Sequence, residues 1–213
     1  MLLKHSSQCD FEMIYYNADG NRGSMCGNGG RCIAAFAKRL GIIKTETAFL
    51  AADGVHHARI EKYDEKKFNA NVFLKMIDVN MIEEEKDFLF LDTGSPHVVK
   101  FVDDTEKINI ISEGRKIRNS DRFREKGVNV NFISFENDII KIRSYERGVE
   151  DETLSCGTGA VASVLAAANK GMLNGKMHCK LFTQGGELHV HFDKTEKGFE
   201  NIFLEGIVGF VFE

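Results

Sequence analysis

The feature that most constrains this chain is a pair of matched segments. Ser24 to Cys32 reads SMCGNGGRC and Ser155 to Gly159 reads SCGTG, so two Cys-Gly-x-Gly turns stand 130 positions apart. Each turn runs into an alanine-rich apolar stretch, GGRCIAAFAKRLG at 29–41 and GAVASVLAAANKG at 159–171. The first has apolar residues at Ile33, Phe36, Ala37 and Leu40 and ends on Lys38, Arg39 and Gly41, the chemistry of a helix C-terminus. The second is apolar almost all round, so as a helix it must be buried. The match extends upstream. Tyr16-Asn17-Ala18-Asp19-Gly20 and Tyr145-Glu146-Arg147-Gly148 each lead into a polar turn, with tyrosine-to-cysteine spacings of 10 and 11 residues. Strand, turn, Cys-Gly-x-Gly, buried helix is therefore a unit that occurs twice. Two copies are too few for a solenoid. They suit a pseudo-symmetric pair of domains facing each other across a cleft.

Most of the remaining chain reads as short strands. VHHARIEK (55–62), IIKIRSY (139–145) and ELHVHF (187–192) alternate between apolar and polar residues. FNANVFLKM, DFLFLD, HVVKFV, NIFLEG and IVGFVFE have the β-branched and aromatic content of strands. ADG at 52–54 and QGG at 184–186 mark turns. A third helix is expected over 104–117, capped by Asp104 or Thr105. With 213 residues, 43% of them hydrophobic, the chain can bury a core as one large domain or two small ones. A net charge of -4, with acids and bases interspersed, offers no nucleic-acid or membrane surface. No apolar run reaches the roughly 18 residues of a membrane span, and MLLKHSSQCDFEM lacks the apolar core of a signal peptide. The five cysteines lack framework spacing and read as free thiols of a reducing, cytoplasmic compartment.

A glycine-rich turn that opens a helix exposes several backbone N–H groups, which with the helix dipole make an anion site. The same field favours a thiolate over a thiol. Two such helix ends can hold one carboxylate and place a sulfur on each side of the carbon next to it. One thiolate then removes the α-proton from one face, and the other thiol delivers a proton to the opposite face. The N–H donors stabilise the charge that develops on the carboxylate. This chemistry requires no metal and no organic cofactor. Cys9, Cys32 and Cys179, outside the repeat, read as small buried hydrophobes. No Gly-Lys-Ser/Thr follows either turn, which excludes a P-loop. Cys26 and Cys32 are not spaced as a zinc pair. His189 and His191 share one strand face and read as two solvated histidines.

YYNADGNRGSMCGNGGRC and YERGVEDETLSCGTGA closely resemble the two active-site signatures of the diaminopimelate epimerase family, and DTGSPH (92–97) and GVNVNF (127–132) extend the resemblance. The family consists of cofactor-independent isomerases that interconvert LL- and meso-diaminopimelate in lysine and peptidoglycan precursor biosynthesis. The resemblance implies an α+β fold of two β-barrel-like domains, each around a central helix, with the active site in the cleft between them. The expected domains are 1–81, 82–204 and a final strand, 205–213, returning to the first. Cys26 and Cys156 match the catalytic bases, Glu146 faces the reacting centre and His97 assists beside it. Gly27, Asn28, Gly157 and Thr158 match the cradle for the reacting carboxylate, and Asn17, Asn129 and Arg147 match further substrate contacts. Ser95 stands where many members have Asn before Pro-His. The implied partner is a small-molecule substrate, and the expected assembly is a homodimer.

Plainer readings stand beside these. Asn17 and Asn129 suit turns, His97 suits the start of a strand, and Glu146 and Arg147 suit a solvated pair. A proline or hydroxyproline racemase, an inactive fragment kept as a scaffold, and a thiol-redox protein are the alternative functions. Family members also open with a segment bearing F-x-K-x-x-G-x-G-N-D-F, and no such signature precedes the first repeat here. The first domain is therefore expected to be incomplete, and the 213-residue chain to be weakly active and poorly stable. Adding that segment and measuring α-proton exchange into solvent checks this; full activity of the short chain would refute it.

Overall fold

Backbone pairing along alternating apolar and polar stretches builds two units, seen in a computed structural model that describes residues 1–16, 20–23, 25–66, 69–136 and 139–211. One unit comprises Met1–Met76 with Phe203–Glu213, the other Ile77–Ile202.

The first unit contains β1 (Leu2–Lys4), β2 (Phe11–Ile14), α1 (Gly27–Arg39), β3 (Glu46–Ala51), β4 (Gly54–Asp64) and β5 (Asn69–Lys75). The strands pair in sequence order, with β2–β3 parallel and the other pairs antiparallel. The β3–β4 turn passes through Gly54 at φ 133, which an L side chain rarely adopts. Parallel register brings Phe11 opposite Phe49, with ring centroids 5.2 Å apart. The helix α1 packs on β4 and β5 through Ile33, Ala34, Ala35 and Ala37. Its expected apolar face is corrected here, because Phe36 and Leu40 are exposed, at 42% and 54%. Small alanines seat the helix close to the sheet, which turns the two larger side chains outward.

The second unit contains β6 (Ile82–Glu84), β7 (Leu89–Asp92), β8 (Pro96–Phe101), α2 (Ile110–Arg118), β9 (Asn129–Glu136), β10 (Ile139–Glu146), β11 (Asp151–Thr153), α3 (Gly157–Asn169), β12 (His178–Thr183) and β13 (Gly186–Thr195). Its strand order is β13-β12-β10-β9-β8-β7-β6, with β11 also on β10. The β8–β9 and β10–β12 pairs are parallel. The all-apolar α3 is buried along nearly its whole length and contacts β7, β8, β9, β10 and β13. The strand β14 (Gly198–Gly209) closes the chain, its residues from Phe203 pairing antiparallel with β5. NIFLEG and the IVG that follows it thus lie on one continuous strand rather than two.

The helix expected over 104–117 is also corrected. Asp104 caps only a 3₁₀ turn, Thr105–Lys107, by accepting the Glu106 N–H at 3.0 Å. Ile108 is then extended, and Asn109 starts α2 by accepting the Ser112 N–H at 3.0 Å. Two Asx caps five residues apart compete for one segment, and each starts its own turn. Gly114 of α2 lies against fully buried Tyr145; a Cβ there would sit 2.5 Å from the tyrosine Cβ. Helix propensity favours Gly114→Ala by about 1 kcal/mol, but overpacking costs ~1–3 kcal/mol. A Cβ of a strand residue cannot swing away, so the clash wins. Urea unfolding should show Gly114→Ala to be less stable by about 1–2 kcal/mol.

Candidate active site

In each unit the helix of the repeat begins with a cysteine cap. Cys26 has φ -111 and ψ 120, and its Sγ accepts the Gly29 N–H at 3.5 Å. Cys156 has φ -111 and ψ 111, and its Sγ accepts the Gly159 N–H at 3.4 Å. The turn before each cap is pinned by its tyrosine, through a bridge from Tyr16 to Arg22 and through the pairing of Tyr145 with Glu152. The repeat seen as spelling is therefore a repeat in geometry. Each thiol shares a helix N-terminus with N–H groups that have no partner within the helix.

Around Cys26, Gly27 is buried and Asn28 Oδ1 accepts from Arg31 Nη2 at 2.6 Å. Arg31 is 5% exposed, and its burial lowers the guanidinium pKa, opposed by the nearby thiols of Cys32 and Cys26. A Cβ at Gly30 would meet Met25 and Leu74, so that position is held to glycine by close packing. Asn17 lies outside the described residues.

Around Cys156, Thr158 Oγ1 stands 3.6 Å from the sulfur, Gly157 is buried, and the Thr158 carbonyl accepts from Thr93 Oγ1 at 2.9 Å. The Glu146 carboxyl accepts from the Thr153 hydroxyl and is also hydrogen-bonded to the Cys156 thiol. Burial raises the Glu146 pKa against the opposing pull of those two bonds. Asn129, 5% exposed, donates to Ser95 Oγ at 2.6 Å and to the Pro96 carbonyl at 3.2 Å, while its Oδ1 accepts the Arg147 N–H at 2.9 Å. Arg147 is exposed and donates through Nη1 to the Lys126 carbonyl at 2.9 Å. Gly127, at φ 73, is in van der Waals reach of that side chain; a Cβ would lie 2.5 Å from Arg147 Cδ. His97 is fully buried, its Nδ1 lies 3.0 Å from Asn131 Nδ2, and its Nε2 has no hydrogen-bond partner among the described residues.

Residues 89–208 match the family model described as diaminopimelate epimerase. The diaminopimelate epimerase of Flavobacterium psychrophilum is 46% identical over 214 residues, covering 100% of this chain and 81% of its own length. The chain belongs to the diaminopimelate epimerase family. The Aquifex aeolicus diaminopimelate epimerase is 39% identical, over 96% of this chain and 74% of its own. A hydroxyproline epimerase from Agrobacterium vitis, solved with trans-4-hydroxy-L-proline, matches with a TM-score of 0.70 at 15% identity, over 98% of this chain and 72% of its own. At that identity the likeness carries the fold alone, and the fold is α+β, with large sheets and few helices.

Within the second unit the structure brings together Ser95, Asn129 and Arg147 in one hydrogen-bonded set, and Glu146, Cys156 and Thr158 in another. Glu146 and Arg147 take different partners instead of pairing with each other. The reading of the three other cysteines needs correction. Cys179 is buried, its thiol pushed up to about 11 by burial, but Cys32 is exposed and Cys9 half-buried. Position 32 falls on the outer face of α1, opposite the alanines. His189 and His191 do share a face of β13, where His189 Nε2 lies 2.7 Å from Glu187 Oε1. Sequence reasoning missed Thr93, Thr153, Asn131 and Ser144. Only Asn131 carried a signal, standing two residues from Asn129 on the same strand face.

Burial, and then the Arg147 charge, lower the His97 pKa to about 3. In the unfolded chain a histidine titrates near ~6.5, so between these values the unfolded state holds a proton that the folded state refuses. Stability from this source is complete above about pH 6.5 and is lost as pH falls toward 3. The slope is about 1.4 kcal/mol per pH unit, or roughly 2 kcal/mol between pH 6.5 and 5. Urea midpoints at those two pH values should differ less for His97→Gln than for the wild type.

Proposed function

We propose that this chain is a diaminopimelate epimerase, an isomerase that inverts the α-carbon of LL- and meso-diaminopimelate by two-base proton exchange. The twin cysteine caps carry the proposal. A structural N-cap is normally Ser, Thr, Asp or Asn, whose oxygen accepts a shorter hydrogen bond than sulfur does. Cysteine at both caps gives up capping strength and gains a sulfur that can serve as proton acceptor or donor.

In the forward direction one cysteine, as thiolate, takes the α-proton and leaves the electron pair on carbon. The opposite thiol then gives its proton to the other face. Charge and protons balance, and the two sulfurs end with their protonation states exchanged. The N–H groups of a helix's first turn, such as each cysteine caps, suit the adjacent carboxylate, whose oxygens gain charge in the transition state. Glu146, hydrogen-bonded to the Cys156 thiol, is placed to bias that proton. The Arg147 guanidinium, an exposed fork anchored by one bond, suits the distal carboxylate of a substrate with two amino-acid ends. Ser95 and Asn129 steady Arg147 through its backbone N–H. The proposed assembly is a homodimer.

Cys26→Ala and Cys156→Ala should each lower LL-to-meso interconversion by about 10²–10⁴-fold, the usual worth of a positioned acid or base. In deuterated solvent, each variant should retain exchange more readily from the one stereoisomer that its remaining sulfur faces. Undiminished interconversion by either variant, or turnover of hydroxyproline in place of diaminopimelate, would overturn the reading.

A further inference from the structure

Asn131 lies on β9, fully buried, and every polar atom of its side chain is engaged. Its Nδ2 sits 3.1 Å from the Val98 carbonyl and 3.0 Å from His97 Nδ1. Its Oδ1 accepts from Ser144 Oγ on β10 at 2.8 Å. A carbonyl oxygen only accepts, so the atom facing Val98 has to be the amide nitrogen. Turning the amide over would set oxygen against oxygen. With one N–H on Val98, the other points at His97 Nδ1, which must therefore be an acceptor. A neutral imidazole that accepts at Nδ1 carries its proton on Nε2. That Nε2 is the buried ring atom with no partner among the described residues. A buried donor without an acceptor is costly, and such atoms in folded proteins call for an explanation.

We propose that Asn131 is a positioning residue, which locks His97 as the Nε2–H tautomer and presents it as a neutral hydrogen-bond donor to the anionic group that forms or binds during the reaction. His97 in this role does not exchange protons with solvent or substrate; the two thiols do that. The proposal rests on the epimerase reading for the identity of the anion, but the tautomer stands apart from it. The lock is built from three neighbouring strands, since Val98 and His97 lie on β8, Asn131 on β9 and Ser144 on β10. It also abuts the cysteine cap. A Cβ at Gly159, whose N–H holds the Cys156 sulfur, would collide with Asn131 Oδ1, so glycine at the third position of that turn lets the amide approach. Gly159 thus serves the lock as well as the helix.

The test is the ¹⁵N spectrum of histidine-labelled protein without ligand, with the His97 signals assigned by their loss in His97→Gln. The expected result is one neutral species, protonated at Nε2 and bare at Nδ1. A proton on Nδ1, or an average of two tautomers, in the wild-type spectrum would overturn the proposal. Asn131→Asp replaces the donating NH₂ by an acceptor of the same shape. It should move the proton to Nδ1 and lower kcat about tenfold, the worth of one misdirected hydrogen bond, with KM little changed. An Asn131→Asp protein that keeps the Nε2–H tautomer and full kcat also overturns it. If the spectra are as expected while neither cysteine variant loses turnover, the lock stands and the epimerase reading falls.

Discussion

A sulfur accepting the third N–H of a helix is the interaction that the rest of this structure has to accommodate. It occurs at Cys26 and at Cys156 with nearly the same backbone angles and distances. The bond is long and weak, so it cannot hold either helix in place. Burial does that. The α3 helix is encased through Val161, Val164 and Leu165, and α1 is pressed onto its sheet by small residues. Hydrophobic contact supplies the stability that these weak caps do not.

Behind the second cap lies a layer of buried polar side chains on parallel-paired β8 and β9, the place where a fold can least tolerate loose ends. Asn129 and Asn131, on one face of β9, resolve this differently. The first ties Ser95 to the Arg147 backbone, and the second ties β8 to β10 through His97 and Ser144. Thr93 adds a bond to the first turn of α3, and Thr153 one to Glu146. Each hydroxyl or amide reaches across elements distant in sequence. Together they leave little freedom for the groups around the Cys156 cap.

Local patterning made much of this legible. Alternation in IIKIRSY and ELHVHF located β10 and β13, and the Cys-Gly-x-Gly spelling located both caps. Other readings failed where neighbours decide. Phe36 and Leu40 look like a helix core but face outward, since Ala34 and Ala37 allow α1 a closer seat on β4 and β5. The stretch 104–117 has helical composition throughout, yet two competing Asx caps divide it. Cys32 looks like a small apolar residue and proves exposed, because its helical position falls opposite the buried alanines.

The sequence by itself determined the family, the α+β class and the twin thiol–glycine turns, because these depend on residue type at short spacing and on hydrophobic period. Only the tertiary structure decided which nitrogen of His97 accepts, which hydroxyl serves Glu146 and why Gly159 has to be glycine. The partners are Asn131, Thr153 and Asn131 again, none of them adjacent in the chain to the group it serves. Hydrogen-bond direction is set by what stands opposite in space, and strand pairing together with the seating of α3 on β9 brings those groups face to face.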